Sequence, residues 1–156
     1  MTAAHTLRIG LISDTHGLLR PEALAALAGV DRIIHAGDIG NAGILDTLAA
    51  IAPVDAVRGN NDNGSWAAAI PHSVTLTHGG LRIHLLHDIK ELKSRMPDVD
   101  VVIAGHSHQP LVVERDGVLC VNPGSAGPRR FKLPVTVALL EIREGRATAT
   151  IQTLAA

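Results

Sequence analysis

Leu7-Arg8-Ile9-Gly10-Leu11-Ile12 runs directly into Ser13-Asp14-Thr15-His16-Gly17. Six largely apolar residues closed by a polar, glycine-ended stretch predict a buried strand and a loop at its end. Pro21-Glu22 then opens a segment with apolar residues at Leu24, Leu27 and Ala28, and Gly29 follows it. Proline at the first turn and glycine past the last one frame a helix. The cycle repeats. Arg32 to Ala36 reads as a strand ending in Gly37-Asp38-Ile39-Gly40, and Ile44 to Ile51 reads as a helix stopped near Pro53. Val54 to Val57 is a third strand, and it runs into Arg58-Gly59-Asn60-Asn61-Asp62. Strands alternating with helices predict parallel strands joined by crossovers.

The second half has a different pattern. Ser73 to Thr77 and Arg82 to Leu86 flank His78-Gly79-Gly80-Leu81 and predict a hairpin. Ile89 to Met96 is expected to form a short helix. Asp100 to Ala104 is an apolar strand feeding Gly105-His106-Ser107-His108. Leu111 to Glu114 and Val118 to Val121 surround Arg115-Asp116-Gly117, and Val135 to Ile142 and Ala147 to Leu154 surround Arg143-Glu144-Gly145-Arg146. Both are hairpin patterns. So many strands argue for two packed sheets within one domain, residues 1–156.

Composition narrows the function. Of 156 residues, 46% are hydrophobic and 19% charged, which excludes disorder as the main state. The 1% aromatic content comes from Trp66 and Phe131, so the core must be aliphatic. A net charge of -1 offers no excess to hold a phosphate backbone, and aromatic stacking platforms are scarce, so stable nucleic-acid binding is not expected. The single Cys120 excludes an internal disulfide. No stretch reaches 18 uninterrupted apolar residues, so no membrane association is expected. No secretion-signal pattern is visible, and a cytoplasmic location is expected.

The nine histidines then matter by position. Asp14 and His16, Asp38, Asn60, His87, and His106 and His108 all stand just past strand ends. Each alone has an ordinary explanation as a turn former, cap or surface residue, but turn formation does not select histidine. Asp14 and His16 lie two apart in an extended segment and can face one cation together, and His106 and His108 repeat the spacing. A nitrogen and oxygen set without thiolates suits Mn²⁺, Zn²⁺, Fe or Ni²⁺. About seven ligands exceed one cation's needs, whereas two metals about 3.5–4 Å apart sharing a carboxylate use them all. With a hydroxide between them, two cations and two carboxylates leave about one positive charge, which matches an anionic phosphoester.

These blocks in this order, Asp14-Thr15-His16, Gly37-Asp38, Gly59-Asn60-Asn61-Asp62, His87 and Gly105-His106-Ser107-His108, resemble the calcineurin-like metallophosphoesterases. The match spans residues 9 to 125. The length and the trailing Asn122-Pro123-Gly124-Ser125 look like the small YfcE-type phosphodiesterase branch. The resemblance implies a four-layer αββα sandwich, two mixed β-sheets flanked by helices. It implies that Asp14, His16 and His108 hold a first metal, that Asp38 bridges, and that Asn60, His87 and His106 hold a second. Mn²⁺ leads, with Zn²⁺, Fe and Ni²⁺ as alternatives. A bridging hydroxide would attack phosphorus in line. Gly17, Gly59 and Gly105 would give the backbone room beside the cluster. The implied substrate is a small phosphodiester or nucleotide-like molecule, and self-association into a homo-oligomer is left open.

Three positions depart from the pattern. Asn61 stands where the family often has a histidine proposed to protonate the leaving group, so leaving groups of low pKa should be favoured. Asp88 follows His87 in place of the usual glycine; it could bind metal, orient His87 or repel anions. Ile39-Gly40-Asn41 replaces the Asp-Arg pair of the protein-phosphatase branch, which argues against a phosphoprotein phosphatase. The rivals are a phosphomonoesterase or nucleotide hydrolase on the same site, and a non-catalytic scaffold like the retromer subunit Vps29, whose metal site is eroded. All seven ligand positions here carry competent side chains. Arg58 is a candidate phosphate clamp or a strand-end ion pair. Arg129, Arg130 and Lys132 are expected to be a solvated loop. His5, His35 and His72 are assigned to structure or surface, and Cys120 to a buried apolar position.

Overall fold

The computed structural model describes residues 5–92, 98–130 and 132–155. Ten strands form two five-stranded sheets. The first sheet contains β1 (Leu7–Ile12), β2 (Arg32–His35), β3 (Val54–Ala56), β9 (Val135–Arg143) and β10 (Arg146–Ala155), in the order β10-β9-β1-β2-β3. The second contains β4 (Ser73–His78), β5 (Leu81–Leu86), β6 (Val101–Ile103), β7 (Leu111–Arg115) and β8 (Val118–Asn122), in the order β4-β5-β6-β8-β7. Within the first sheet β1, β2 and β3 run parallel, and within the second β5, β6 and β8 do. The remaining strands pair antiparallel. This is the expected two-sheet sandwich.

Strand alternation builds the layers. Ile9 and Leu11 of β1 and Ile34 of β2 point between the sheets, where they meet Ile83 and Leu85 of β5, Val101 and Ile103 of β6, and Leu140 of β9. Ile12 and Ile33 point the other way, toward Leu27, Ile44 and Leu48. Ile44 and Leu48 belong to α2 (Ala42–Ala49), which packs on this outer face with α1 (Pro21–Ala26). Pro21 opens α1, and the Asn41 side chain caps α2 by accepting from the Ile44 N–H at 3.2 Å.

The three hairpins close with Gly79-Gly80, Asp116-Gly117 and Glu144-Gly145, every one of these six residues at positive φ. Two such residues give a turn whose twist matches the strands, which is why glycine sits second in each. In its described part, the helix expected over Ile89 to Met96 is a 3₁₀ turn, Ile89–Glu91, capped by the Asp88 side chain. Leu92 after it is extended, and residues 93–97 lie outside those described. Among the described residues, no helix is long and apolar enough to cross a membrane.

Candidate metal centre

The loops after β1 and β2 continue the parallel pairing beyond the strands. Asp14 N–H donates to the Gly37 carbonyl at 2.9 Å, His16 N–H to Asp38 at 2.8 Å, and Gly17 N–H to Ile39 at 2.8 Å. In the second sheet Gly105 N–H continues the pairing of β6 with β5 by donating to the His87 carbonyl at 2.9 Å, and the two sheets join through His106 N–H to Asp14 Oδ2 at 3.2 Å. The ends of β1, β2, β5 and β6 thereby meet.

Two groups of ligand-type atoms result, each with its members within 4.8 Å of one another: Asp14, His16 and His108, and Asp38, His87 and His106. Asp14 is fully buried. Its Oδ2 accepts from the Ser13 hydroxyl at 2.8 Å and from His106 N–H, while Oδ1 has no hydrogen bond. That oxygen faces Nε2 of His108 at 3.5 Å and of His16 and His87 at 3.9 Å. Asp38 Oδ1 accepts from Asn61 N–H at 3.0 Å. Its Oδ2 lies 3.1 Å from His87 Nε2 and 3.6 Å from His16 Nε2, so it faces one imidazole of each group. His87 Nδ1–H donates to the Ala36 carbonyl at 2.7 Å, which leaves Nε2 bare and aimed at the carboxylates. A carbonyl that holds the far ring nitrogen in this way fixes the tautomer and orientation a metal-binding histidine needs.

A buried carboxylate oxygen and the Nε2 atoms of His16 and His87 all lack partners while facing one another. Buried polar atoms are normally paired. A divalent cation in each group would give all three a partner, so the donor set fits metal. Electrostatics agree. Burial pushes the Asp14 carboxyl upward, and His87 and the Ser13 hydroxyl offset this only in part. At Asp38 burial opposes ionisation, but His87, Asn61 N–H and His16 outweigh it and hold the pKa near about 2. Burial would lower His87; Asp38, the Ala36 carbonyl and Asp14 raise it above the usual imidazole value. Burial, then the charges of Arg130 and His16, bring His108 down to about 4.

The backbone is strained here. Asp14, His16, Asp38, His106 and His108 all have φ between 47° and 72°. The left-handed region is uncommon outside glycine and gathers at functional sites. Gly59 and Gly105 are steric requirements: a Cβ on Gly59 would overlap the Asp38 side chain, and one on Gly105 would overlap the Ser13 hydroxyl. Gly17 differs from expectation. It has room for a side chain, and its need is its φ of 82°.

Two residues that sequence reasoning gave no site role hold the loops together. Asp62, nearly buried, accepts from Ile39, Gly40 and Gly59 N–H groups at 2.9–3.1 Å. It ties the Asp38 loop to the Asn60 loop. His35 is fully buried, as the structural assignment expected, yet it connects two ligand loops. Gly37 N–H donates to Nδ1 at 3.1 Å, which leaves Nε2–H to donate to Thr15 Oγ1 at 2.9 Å. Thr15 then donates to the Ile39 carbonyl at 2.7 Å. A histidine inside an apolar strand had to find such partners, and that was the available signal.

The other candidates divide. Asn60 and Asn61 are exposed at the rim. Asp88 caps the 3₁₀ turn through Oδ1 and places Oδ2 3.8 Å from His106 Nε2, so it addresses His106 rather than His87. The Arg58 guanidinium is engaged with His72 Nε2 at 2.9 Å rather than in an ion pair. Arg129 and Arg130 are exposed, as expected, and Cys120 is only half-buried. Asn122 does brace the site: its amide donates to the Gly105 carbonyl and to Ser107 Oγ, both at 3.0 Å. Ser125 Oγ donates to the Asp14 carbonyl at 3.1 Å.

Comparison with known proteins gives a consistent picture. Residues 7–145 match the family model of the calcineurin-like phosphoesterase superfamily domain. A Methanothermobacter thermautotrophicus protein named "Probable metallophosphoesterase" is 35% identical over 145 residues, covering 84% of each chain. Among solved structures, an archaeal phosphodiesterase superposes with a TM-score of 0.77 at 25% identity, over 93% of this chain and 99% of that one. Vacuolar protein sorting 29 of Cryptosporidium parvum superposes with a TM-score of 0.77 at 20% identity, over 97% and 99%, a likeness of fold.

Proposed function

The chain belongs to the calcineurin-like phosphoesterase superfamily, and from that premise we propose that it is a phosphodiesterase working with two divalent cations, Mn²⁺ foremost. The observation that carries the proposal is the pair of ligand groups with Asp38 facing a histidine of each. In this reading Asp14, His16 and His108 hold the first cation, Asn60, His87 and His106 the second, and Asp38 both. When bound, the two cations supply an activated water and neutralise the charge that develops on phosphorus oxygens.

The protein's own residues set the rest. Ser13 and His106 N–H fix the Asp14 carboxylate, and Asn61 N–H fixes that of Asp38, so both present one free oxygen to the centre. The Ala36 carbonyl fixes His87. The Asn61 side chain is exposed and its amide is too weak an acid to protonate an alkoxide, so esters with acidic leaving groups should turn over fastest.

Asp38→Ala tests the reading. Mn²⁺-dependent hydrolysis of an activated aryl phosphodiester should fall by about three orders of magnitude or more, as when a group acting in the transition state is removed. Near-normal turnover by this variant would refute the two-cation mechanism. A non-catalytic scaffold on the same fold predicts no metal-dependent turnover in the wild type.

A further inference from the structure

Beside the loop that carries His106, a cavity of about 480 Å³ lies on the outer face of the second sheet, where Leu92 and Val99 cover part of that face among the described residues. Its floor is Val102 of β6, Cys120 of β8 and Leu111 and Val113 of β7. Alternation explains the floor. Val101, Ile103 and Val121 face the core between the sheets, and Val102 and Cys120 therefore face outward. On the first sheet α1 and α2 cover the corresponding face. Here, among the described residues, one 3₁₀ turn lies alongside, and Leu111 is 46% exposed.

One end of the cavity reaches the edge of the candidate metal centre at His106. His106 lines the cavity and also belongs to the group with Asp38 and His87. Beside it stands Asp88, 3.8 Å from His106 Nε2, and Lys90 and Arg115 also line the wall.

We propose that this cavity receives one ester arm of the substrate, a flat, mainly apolar group of aryl or nucleobase size. The proposal rests on the phosphodiesterase reading. A diester has two arms, and an arm leaving phosphorus on the His106 side meets this space first. The volume falls in the range of about 300–1,000 Å³ that holds small ligands. A sheet face is flat, and its aliphatic floor gains by covering an equally flat apolar group.

The test uses the Mn²⁺-loaded protein and bis(4-nitrophenyl) phosphate. Cys120→Trp fills the floor, and Leu111→Glu puts a charge on an exposed rim where folding is undisturbed. Both should raise KM, Cys120→Trp at least about tenfold, the loss when roughly 60 Å² of apolar area goes unburied. Unchanged KM in both variants, at wild-type metal content, would overturn the proposal and leave the phosphodiesterase reading standing. Should the wild type hydrolyse no diester, that reading fails, and equilibrium dialysis with 4-nitrophenol tests the cavity alone. Saturable binding weakened by Cys120→Trp supports the cavity; no saturable binding, or binding equal in the variant, overturns it.

Discussion

His35 shows what a single buried residue contributes. It is fully buried, and burial holds its pKa down to about 3, with the charges of His87 and His16 adding to the effect. It is therefore neutral in the folded chain, while an unfolded chain protonates it near pH 6.5. The unfolded state then binds the extra proton, so stability is lost as pH falls from about 6.5 toward about 3, at up to about 1.4 kcal/mol per pH unit. Unfolding free energies measured from pH 7 to pH 4 should fall more steeply for wild type than for His35→Gln. Parallel curves would refute this account of His35. Residue chemistry was legible where type and position coincide: Asp14, His16, Asp38, His87, His106 and His108 were found because strand ends carried donors that turns do not require, and these six converge. The tasks of His35 and Asp62 were not legible, because they depend on which N–H and hydroxyl groups other loops bring near. The left-handed φ of five ligands was equally hidden, since Asp and His at a strand end do not announce it.

The elements place these residues by backbone pairing that outlasts the strands, and their glycines serve two distinct ends. Gly117 sits at φ 80° in open space, in the turn between β7 and β8. Gly117→Ala should cost about 1 kcal/mol through conformation alone, read as a lower denaturant midpoint with metal binding intact. Gly105 lies against Ser13 and 2.9 Å from Asp14 Oδ2 at the site of its missing Cβ. Gly105→Ala should instead displace the Asp14 carboxylate and weaken cation binding by about 10–100-fold, the effect of disturbing the groups that orient a ligand. Equal metal affinity in the two variants would contradict this division. The hairpins were legible because the glycine second in each turn follows from strand twist. The helix over Ile89 to Met96 was misjudged in its described part, since Asp88 supplies a cap that ends after one 3₁₀ turn.

At the scale of the whole molecule, the sandwich brings the ends of parallel strands from two sheets together and leaves uncompensated donors where they meet. The two-sheet architecture was legible from strand number, from three hairpins and from the early strand–helix alternation. The packing that aims Asp14, Asp38, His87 and His108 at one another was not, because it depends on how one sheet lies over the other. Five candidate ligands in left-handed backbone cost about 1 kcal/mol or more each, and a buried Asp14 with an unpartnered oxygen adds to this. Cation binding there would offset these costs, so on the proposed reading chelation should lower Tm and Mn²⁺ should raise it in proportion to the logarithm of its concentration. The most direct measurement is the metal content of purified wild type and Asp38→Ala after equilibration with Mn²⁺. The account predicts about two ions per chain in the wild type and a loss at both positions in the variant. Wild-type protein without bound metal, or a variant that keeps the full complement, would contradict it.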